Sequence, residues 1–328
     1  MMAQDVDETF SEAGFACRII QADSVEITGG VETNGTLKVP ATLVHDGQTY
    51  VIAAIADQAY RGSEIVTLDL SAATNLKSIG QSAFAECKKL ESVIFPESDV
   101  TSLTKIAPLA FHHALALKEI NLEDTHIEVL EPLFTENEDD EQFINGLKEI
   151  KLPSTLRVIR SYALQFLMIT KIEIPSSVTT FEDRVLEGCI NLKEFTWKGA
   201  QITSLPRYTF LGVCDFLERV TLLTVEPLEP TGLTDNHFFW CDKEVLQVIL
   251  TPESIENLAT AGYTNSNSIY STLVAYEGGS DDPSAIGKEV TRATAIDNNA
   301  HYTLKGVRVD TPQKGGVYIH KGRKIVVK

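Results

Sequence analysis

Residues 76–96 read LKSIGQSAFAECKKLESVIFP, and two apolar patterns stand side by side in them. The first is Leu76-x-x-Ile79-x-x-x-Ala83-Phe84. The second is Leu90-x-x-Val93-x-Phe95, closed by Pro96. Downstream, the second pattern returns at Leu117-x-x-Ile120, Leu147-x-x-Ile150, Ile169-x-x-Ile172, Leu192-x-x-Phe195, Leu217-x-x-Val220 and Val245-x-x-Val248. Upstream it appears as Ile65-x-x-Leu68, with Leu37-x-Val39-Pro40 as a degenerate first copy. From Leu68 onward the middle residues are 25, 27, 30, 22, 23, 25 and 28 positions apart. The first pattern keeps phase with it. It ends in Ala59-Tyr60, Ala110-Phe111, Ala163-Leu164, Val185-Leu186 and Thr209-Phe210. Two phased patterns at this period identify a repeat array.

The alternation around Val93 or Ile150 suits a short strand, and the following proline stops it. The Ala-Phe or Ala-Leu pair is expected in a short helical turn or a second strand segment, with the aromatic inward. One copy buries about five apolar side chains at about 1.5–3 kcal/mol each. Ordering its residues costs about 1–2 kcal/mol apiece. A lone copy therefore cannot fold, whereas stacked copies cover one another's open faces.

These residues resemble the BspA-like leucine-rich repeat, most closely in Ile172-Glu173-Ile174-Pro175-Ser176-Ser177-Val178 and in Ile79-Gly80-Gln81-Ser82-Ala83-Phe84-Ala85-Glu86-Cys87. The resemblance covers residues 37–275. It implies a right-handed leucine-rich repeat solenoid, extracellular exposure, and a binding or adhesion role in a Bacteroidetes protein. The copies near Ile127-Leu130-Phe134 and Leu228-Leu233-Phe239 depart from the pattern and leave the local register open. Residues 1–36 are expected to form an N-terminal β cap, with strand-like segments running on to Ile52. Residues 276–295 read as a linker rich in Gly, Ser, Asp and Pro at its start. Residues 296–328 read as a C-terminal β-hairpin turning at Lys321-Gly322. Its Gly316-Val317-Tyr318-Ile319 strand is similar to the export tails of Bacteroidetes proteins, which implies export or sorting.

The chain carries 46 acidic and 28 Lys/Arg residues among 328, a formal charge of −18. Residues 284–328 hold nine basic and three acidic residues, a net of +6, so the remainder carries −24. So acidic a body is a poor polyanion binder, and nucleic acid is not an expected partner. Apolar runs such as VIAAIA at 51–56 are too short to span a bilayer. The polar opening Met1-Met2-Ala3-Gln4-Asp5 contains no signal peptide. It fits a start methionine placed before a mature terminus from which the signal has been removed.

No GxSxG, GxGxxG, HExxH or P-loop string occurs, and no cofactor is expected. Cys87, Cys189, Cys214 and Cys241 follow the Phe/Leu position by two to four residues and read as buried thiols. Cys17 stands alone. His237 and Cys241 invite a thiol-nucleophile reading, but nothing nearby activates the thiol. His112-His113 reads as an outer turn without a third metal ligand. The acidic run Glu136-Asn137-Glu138-Asp139-Asp140-Glu141 lies in the longest repeat and reads as a solvated loop, with a weak calcium site as the sharper alternative. Asp23-Ser24-Val25 is similar to the Bacteroidetes O-glycosylation acceptor.

The candidate interaction surface is the outward face of the repeat strands. One row comprises Asp69, Ile94, Asn121, Lys151, Glu173, Thr196, Thr221 and Ile249. Its neighbour comprises Thr67, Ser92, Glu119, Glu149, Lys171, Glu194, Arg219 and Gln247. Mixed charge of this kind suits a protein or glycan ligand. The expected function is non-catalytic binding at the cell surface or after secretion, most simply adhesion to a host or matrix protein. The rivals are an intracellular or periplasmic repeat scaffold and, less in keeping with the residues, a glycan-active enzyme using paired carboxylates.

Overall fold

The computed structural model describes residues 6–30, 34–134, 146–211, 216–238, 245–260, 273–276, 301–302, 308–309, 317–320 and 323–326. The acidic run 136–141, Cys214, Cys241 and linker residues 277–295 lie outside them. The chain divides into two units. The first holds Met1–Thr170 and Thr180–Cys189, the second Lys171–Thr179 and Ile190–Lys328. Each unit contains β-solenoid turns of the leucine-rich repeat kind, about nine among the described residues.

In the first unit the first strands of successive repeats pair in parallel, and the residues named from the pattern meet in register. Leu37 lies opposite Leu68, and Leu68 opposite Val93. Ile120 lies opposite Ile150. The first pattern forms a second strand two residues long, as at Ser78–Ile79 and Lys105–Ile106. Ile55, Ile79 and Ile106 stack through these strands, as do Leu130, Ile159 and Phe181. The second-strand alternative therefore holds, and the Ala-Phe pair follows in a non-helical turn. Among the described residues, regular helix occurs only at Asp235–Phe238 and Pro252–Thr260.

That turn has its own ladder. The Tyr60 N–H donates to Ala83 O at 2.8 Å, Phe84 N–H to Ala110 O at 2.9 Å, and Phe111 N–H to Leu133 O at 2.9 Å. The backbone bends into it through two left-handed residues, one just before the alanine and one two beyond the aromatic. They are Gln58 and Gly62, then Ser82 and Glu86, Leu109 and His113, Tyr162 and Phe166, and Arg184 and Gly188. Left-handed backbone costs roughly 1–2 kcal/mol for an ordinary L-residue. It recurs because it turns alanine and ring inward while leaving alternate N–H groups facing the next turn. The rings then stack, Tyr60 on Phe84 at 5.6 Å, Phe84 on Phe111 at 5.9 Å and Phe111 on Phe134 at 6.3 Å. Phe134 and Leu130 thus keep the common register despite the divergent sequence around them.

A mixed sheet caps the first repeat. Thr9–Glu12, Phe15–Gln21 and Ser24–Gly30 pair antiparallel in sequence, and Ser24–Gly30 then pairs parallel with Gln48–Ile55. Thr42–His45 forms a hairpin with Gln48–Ile55. Asp46 and Gly47 both have positive φ, the two-residue turn whose twist matches a hairpin. Cap pairing therefore reaches Ile55 and interleaves with the first repeat strand, Thr36–Lys38.

In the second unit Ile172, Phe195, Val220, Val248 and Leu273 lie opposite one another across five parallel strands. Phe210 stacks on Phe238 at 5.2 Å, so Phe238, the neighbour of Phe239, occupies the aromatic position. Helix Pro252–Thr260 is capped by Thr251, whose Oγ1 accepts the Ser254 N–H at 3.2 Å. The C-terminal segments form a four-stranded antiparallel sheet. His320 lies opposite Arg323.

Three substitutions test this account. A Cβ on Gly80 would lie 2.5 Å from Asp57 N and 2.6 Å from the Ala56 carbonyl carbon, both backbone. Gly80→Ala is expected to cost about 2 kcal/mol or more in denaturant unfolding. Phe84→Ala is expected to cost about 3–5 kcal/mol. Phe84→Leu should lose well under half as much, since Leu164 and Leu186 fill the same position; equal losses would refute the stacking role.

Candidate interaction surfaces

The first-strand residues form three in-register groups. Asp69 lies opposite Ile94, and Thr67 opposite Ser92. Glu119 lies opposite Glu149, and Asn121 opposite Lys151. Lys171, Glu194, Arg219 and Gln247 form one row of the second unit, and Glu173, Thr196, Thr221 and Ile249 the other. Ile94, Asn121, Lys151, Glu119, Glu149, Glu173, Lys171, Glu194 and Arg219 are exposed, whereas Asp69 and Thr196 are half-buried. Thr221 and Ile249 depart from the expectation. They are 8% and 2% exposed, so the outward row is closed at those strands. Alternation along a strand assigns a face, but it does not decide whether more chain covers that face.

Some of these side chains also hold the turn that ends their strand. Asp69 Oδ1 accepts from the Ser71 N–H at 3.0 Å and the Ser71 hydroxyl at 2.6 Å. The Ser71 contacts hold its carboxyl below the usual carboxylate range. Asn121 Oδ1 accepts the Glu123 N–H at 2.9 Å. Both are Asx turns. Lys151 reaches Glu123 at 3.5 Å and Arg219 reaches Glu194 at 3.8 Å, exposed pairs that contribute little stability. Glu119 beside Glu149 sets like charges on neighbouring strands, a mildly unfavourable arrangement that a cationic partner would relieve.

The described thiols are buried as expected. Cys87 Sγ donates to Tyr60 O at 3.1 Å and lies 3.3 Å from Ser63 Oγ. Cys189 Sγ donates to Leu164 O at 2.9 Å. Each thiol thus bonds the preceding turn. Burial pushes Cys189 up to about 12 and Cys17 to about 11, leaving both protonated at neutral pH. Ser24 is only 4% exposed, so its hydroxyl is not open to glycosylation in the folded chain. His112 and His113 stack on each other at 3.8 Å. Among the described residues no group of three or more His, Cys, Asp or Glu side chains could hold a metal ion. Among them, too, no helix is long and apolar enough to cross a membrane.

His237 serves the fold. Its Nδ1 accepts the Thr234 N–H at 2.9 Å and its Nε2 lies 2.9 Å from Leu205 O, which fixes the hydrogen on Nε2. Burial holds its pKa below the ordinary value.

A second surface was not foreseen from the repeat pattern. A pocket of about 320 Å³ opens on the outer face of the second strands, next to the cap. Its floor is Ala54, Ala56, Gly80 and Ala107. Charged groups from Arg18, Glu26, Asp57 and Lys105 stand around it, with Ser78 between. The signal available in the sequence was the run of small residues at the outward positions of two successive copies.

A family model described as the BspA type leucine rich repeat region matches residues 53–145 and 139–243, with six copies. Several solved bacterial leucine-rich repeat structures are similar. One from Bacteroides capillosus has 23% identity over 44% of this chain and 97% of its own, with a TM-score of 0.34. A leucine rich cell surface protein from Faecalibacterium prausnitzii has 14% identity over 86% of this chain and 97% of its own, with a TM-score of 0.45. The T. pallidum leucine rich repeat protein has 16% identity over 78% and 97%, with a TM-score of 0.42. Comparison with curated proteins found no match.

The His237 environment predicts a pH effect. The folded state holds the ring neutral while the unfolded chain titrates near 6.5, so the folded form binds fewer protons. This contribution is full above about pH 7 and declines as pH falls through about 6.5 toward the depressed folded value. Melting temperature measured from pH 7.5 to 5 should fall, and His237→Gln should flatten that fall. An unchanged slope in the variant would refute the assignment.

Proposed function

This chain belongs to the BspA type leucine rich repeat family, and on that premise we propose that it is an exported, non-catalytic binding protein that adheres to a host or matrix protein through its first-strand face. The observation that carries the reading is the register of exposed charge on adjacent strands, Lys171, Glu194 and Arg219 in one unit and Glu119 beside Glu149 in the other. Parallel strands hold such side chains about 4.8 Å apart, a rigid array presented without any further ordering cost. The array mixes signs, which suits a polar protein surface. The buried thiols and the buried His237 are committed to packing and supply no nucleophile on this face. Export to the cell surface of a Gram-negative bacterium is supported by the resemblance of the C-terminal hairpin to sorting tails.

The test is a binding screen of the full chain against immobilised matrix proteins. At least one should bind saturably, with affinity falling steeply as salt rises. The pair of changes Lys171→Glu and Arg219→Glu should weaken it by about tenfold or more without changing the melting temperature. A blank screen, or binding indifferent to the face variants, overturns the reading. Recovery of the native protein from the cytosol on cell fractionation overturns the export part alone.

A further inference from the structure

The pocket beside the cap is assembled by one register row. Arg18 lies opposite Glu26, Glu26 opposite Ala54, Ala54 opposite Ser78, and Ser78 opposite Lys105. The row thus runs cation, anion, two small residues, cation. Between Glu26 and Lys105 stand three strand spacings, roughly 14 Å, with nothing larger than serine. In the next row Ala56, Gly80 and Ala107 follow one another through backbone bonds to Ile27, Ile55 and Ile79. The floor is therefore flat, low and apolar. It is low at Gly80 because the Asp57 backbone leaves no room for a Cβ there. The next copies of the first unit carry Glu131, Arg160 and Glu182 at the position of Gly80, which ends the run of small residues there.

The rim decides the ligand. Glu26 is nearly buried and is matched by Arg18, which is bonded to it through Nε at 2.6 Å. Asp57 Oδ1 accepts the Gln81 N–H at 2.7 Å, and its other oxygen remains available. Lys105 balances Asp57. Two cations and two carboxylates cancel, so the rim offers strong donors and acceptors without a net field for an ion. About 320 Å³ lies at the small end of ligand pockets and has room for one ring.

We propose that this pocket binds one neutral pyranose unit of a glycan, its C–H face on Ala54, Ala56 and Ala107 and its hydroxyls on Asp57, Ser78 and Lys105. Vicinal hydroxyls are at once donors and acceptors. They match a rim lined by both carboxylate and ammonium groups with no net charge to favour an ionic sugar. The site is on a different sheet from the first-strand face and stands or falls independently of the adhesion reading.

The test is a ligand-observed NMR titration of the full chain with methyl glycosides of glucose, galactose, mannose and N-acetylglucosamine, with glucuronate and glucosamine as charged controls. At least one neutral glycoside should bind saturably, in the millimolar range expected for a single ring. Ala56→Leu fills the trough from an outward, half-buried position and should reduce affinity about tenfold or more at an unchanged melting temperature. Lys105→Ala, at an exposed site, should weaken it several-fold, and Lys171→Glu should leave it untouched. No saturable neutral sugar, binding confined to the charged controls, or full affinity in Ala56→Leu would each overturn the proposal.

Discussion

A single turn of this chain cannot hide its own apolar side chains, and every other feature follows from how the neighbouring turn hides them. Leu68 is buried because Leu37 and Val93 lie on either side of it. Phe84 is buried because Tyr60 and Phe111 stack on its two faces. Burial here comes from translation along the stack, so a residue is specified less by its chain neighbours than by its equivalents one period away. The first turn has no preceding equivalent. The antiparallel strands from Thr9 to Gly30 supply the missing surface, and Phe15, Cys17, Ile19 and Ile27 carry the core to that end.

The same translation dictates the polar chemistry. Backbone groups that do not bond within a turn must find the next one, and three ladders per period accomplish this, through the first strand, the second strand and the Ala-Phe turn. Strained left-handed backbone is tolerated at Ser82, Glu86, Leu109 and His113 because it aims those groups along the stack. The buried cysteines follow the same logic. Cys87 and Cys189 each reach back to a carbonyl of the preceding turn, Tyr60 and Leu164, so they act as small apolar residues with one donor.

The outward side chains are released from this constraint, and there the turns diverge. On the first strands the divergence takes the form of mixed charge in register, and on the second strands beside the cap it takes the form of missing bulk. A protein partner and a sugar ring ask for these two things respectively, a broad polar array and a small shaped trough. Among the described residues no group of three or more His, Cys, Asp or Glu side chains could hold a metal ion, and the described cysteines are buried.

The stack itself was legible in the chain. The spacing names the residues that meet within each sheet, Leu68 with Val93, Ile120 with Ile150, and Ile172 with Phe195, Val220 and Val248. The thiols at 87 and 189 could be read the same way. Other features needed the folded chain. Phe134 takes the aromatic position although it follows Leu130 by four residues, where Ile79 and Phe84 are five apart. Thr221 and Ile249 are closed off although they alternate outward. The trough joins residues 18, 26, 54, 78 and 105, which share no motif. Periodicity reports only interactions that repeat. A cap, an irregular turn and whatever covers an outward face each occur once, and their contacts are set by non-local pairing that leaves no period in the sequence.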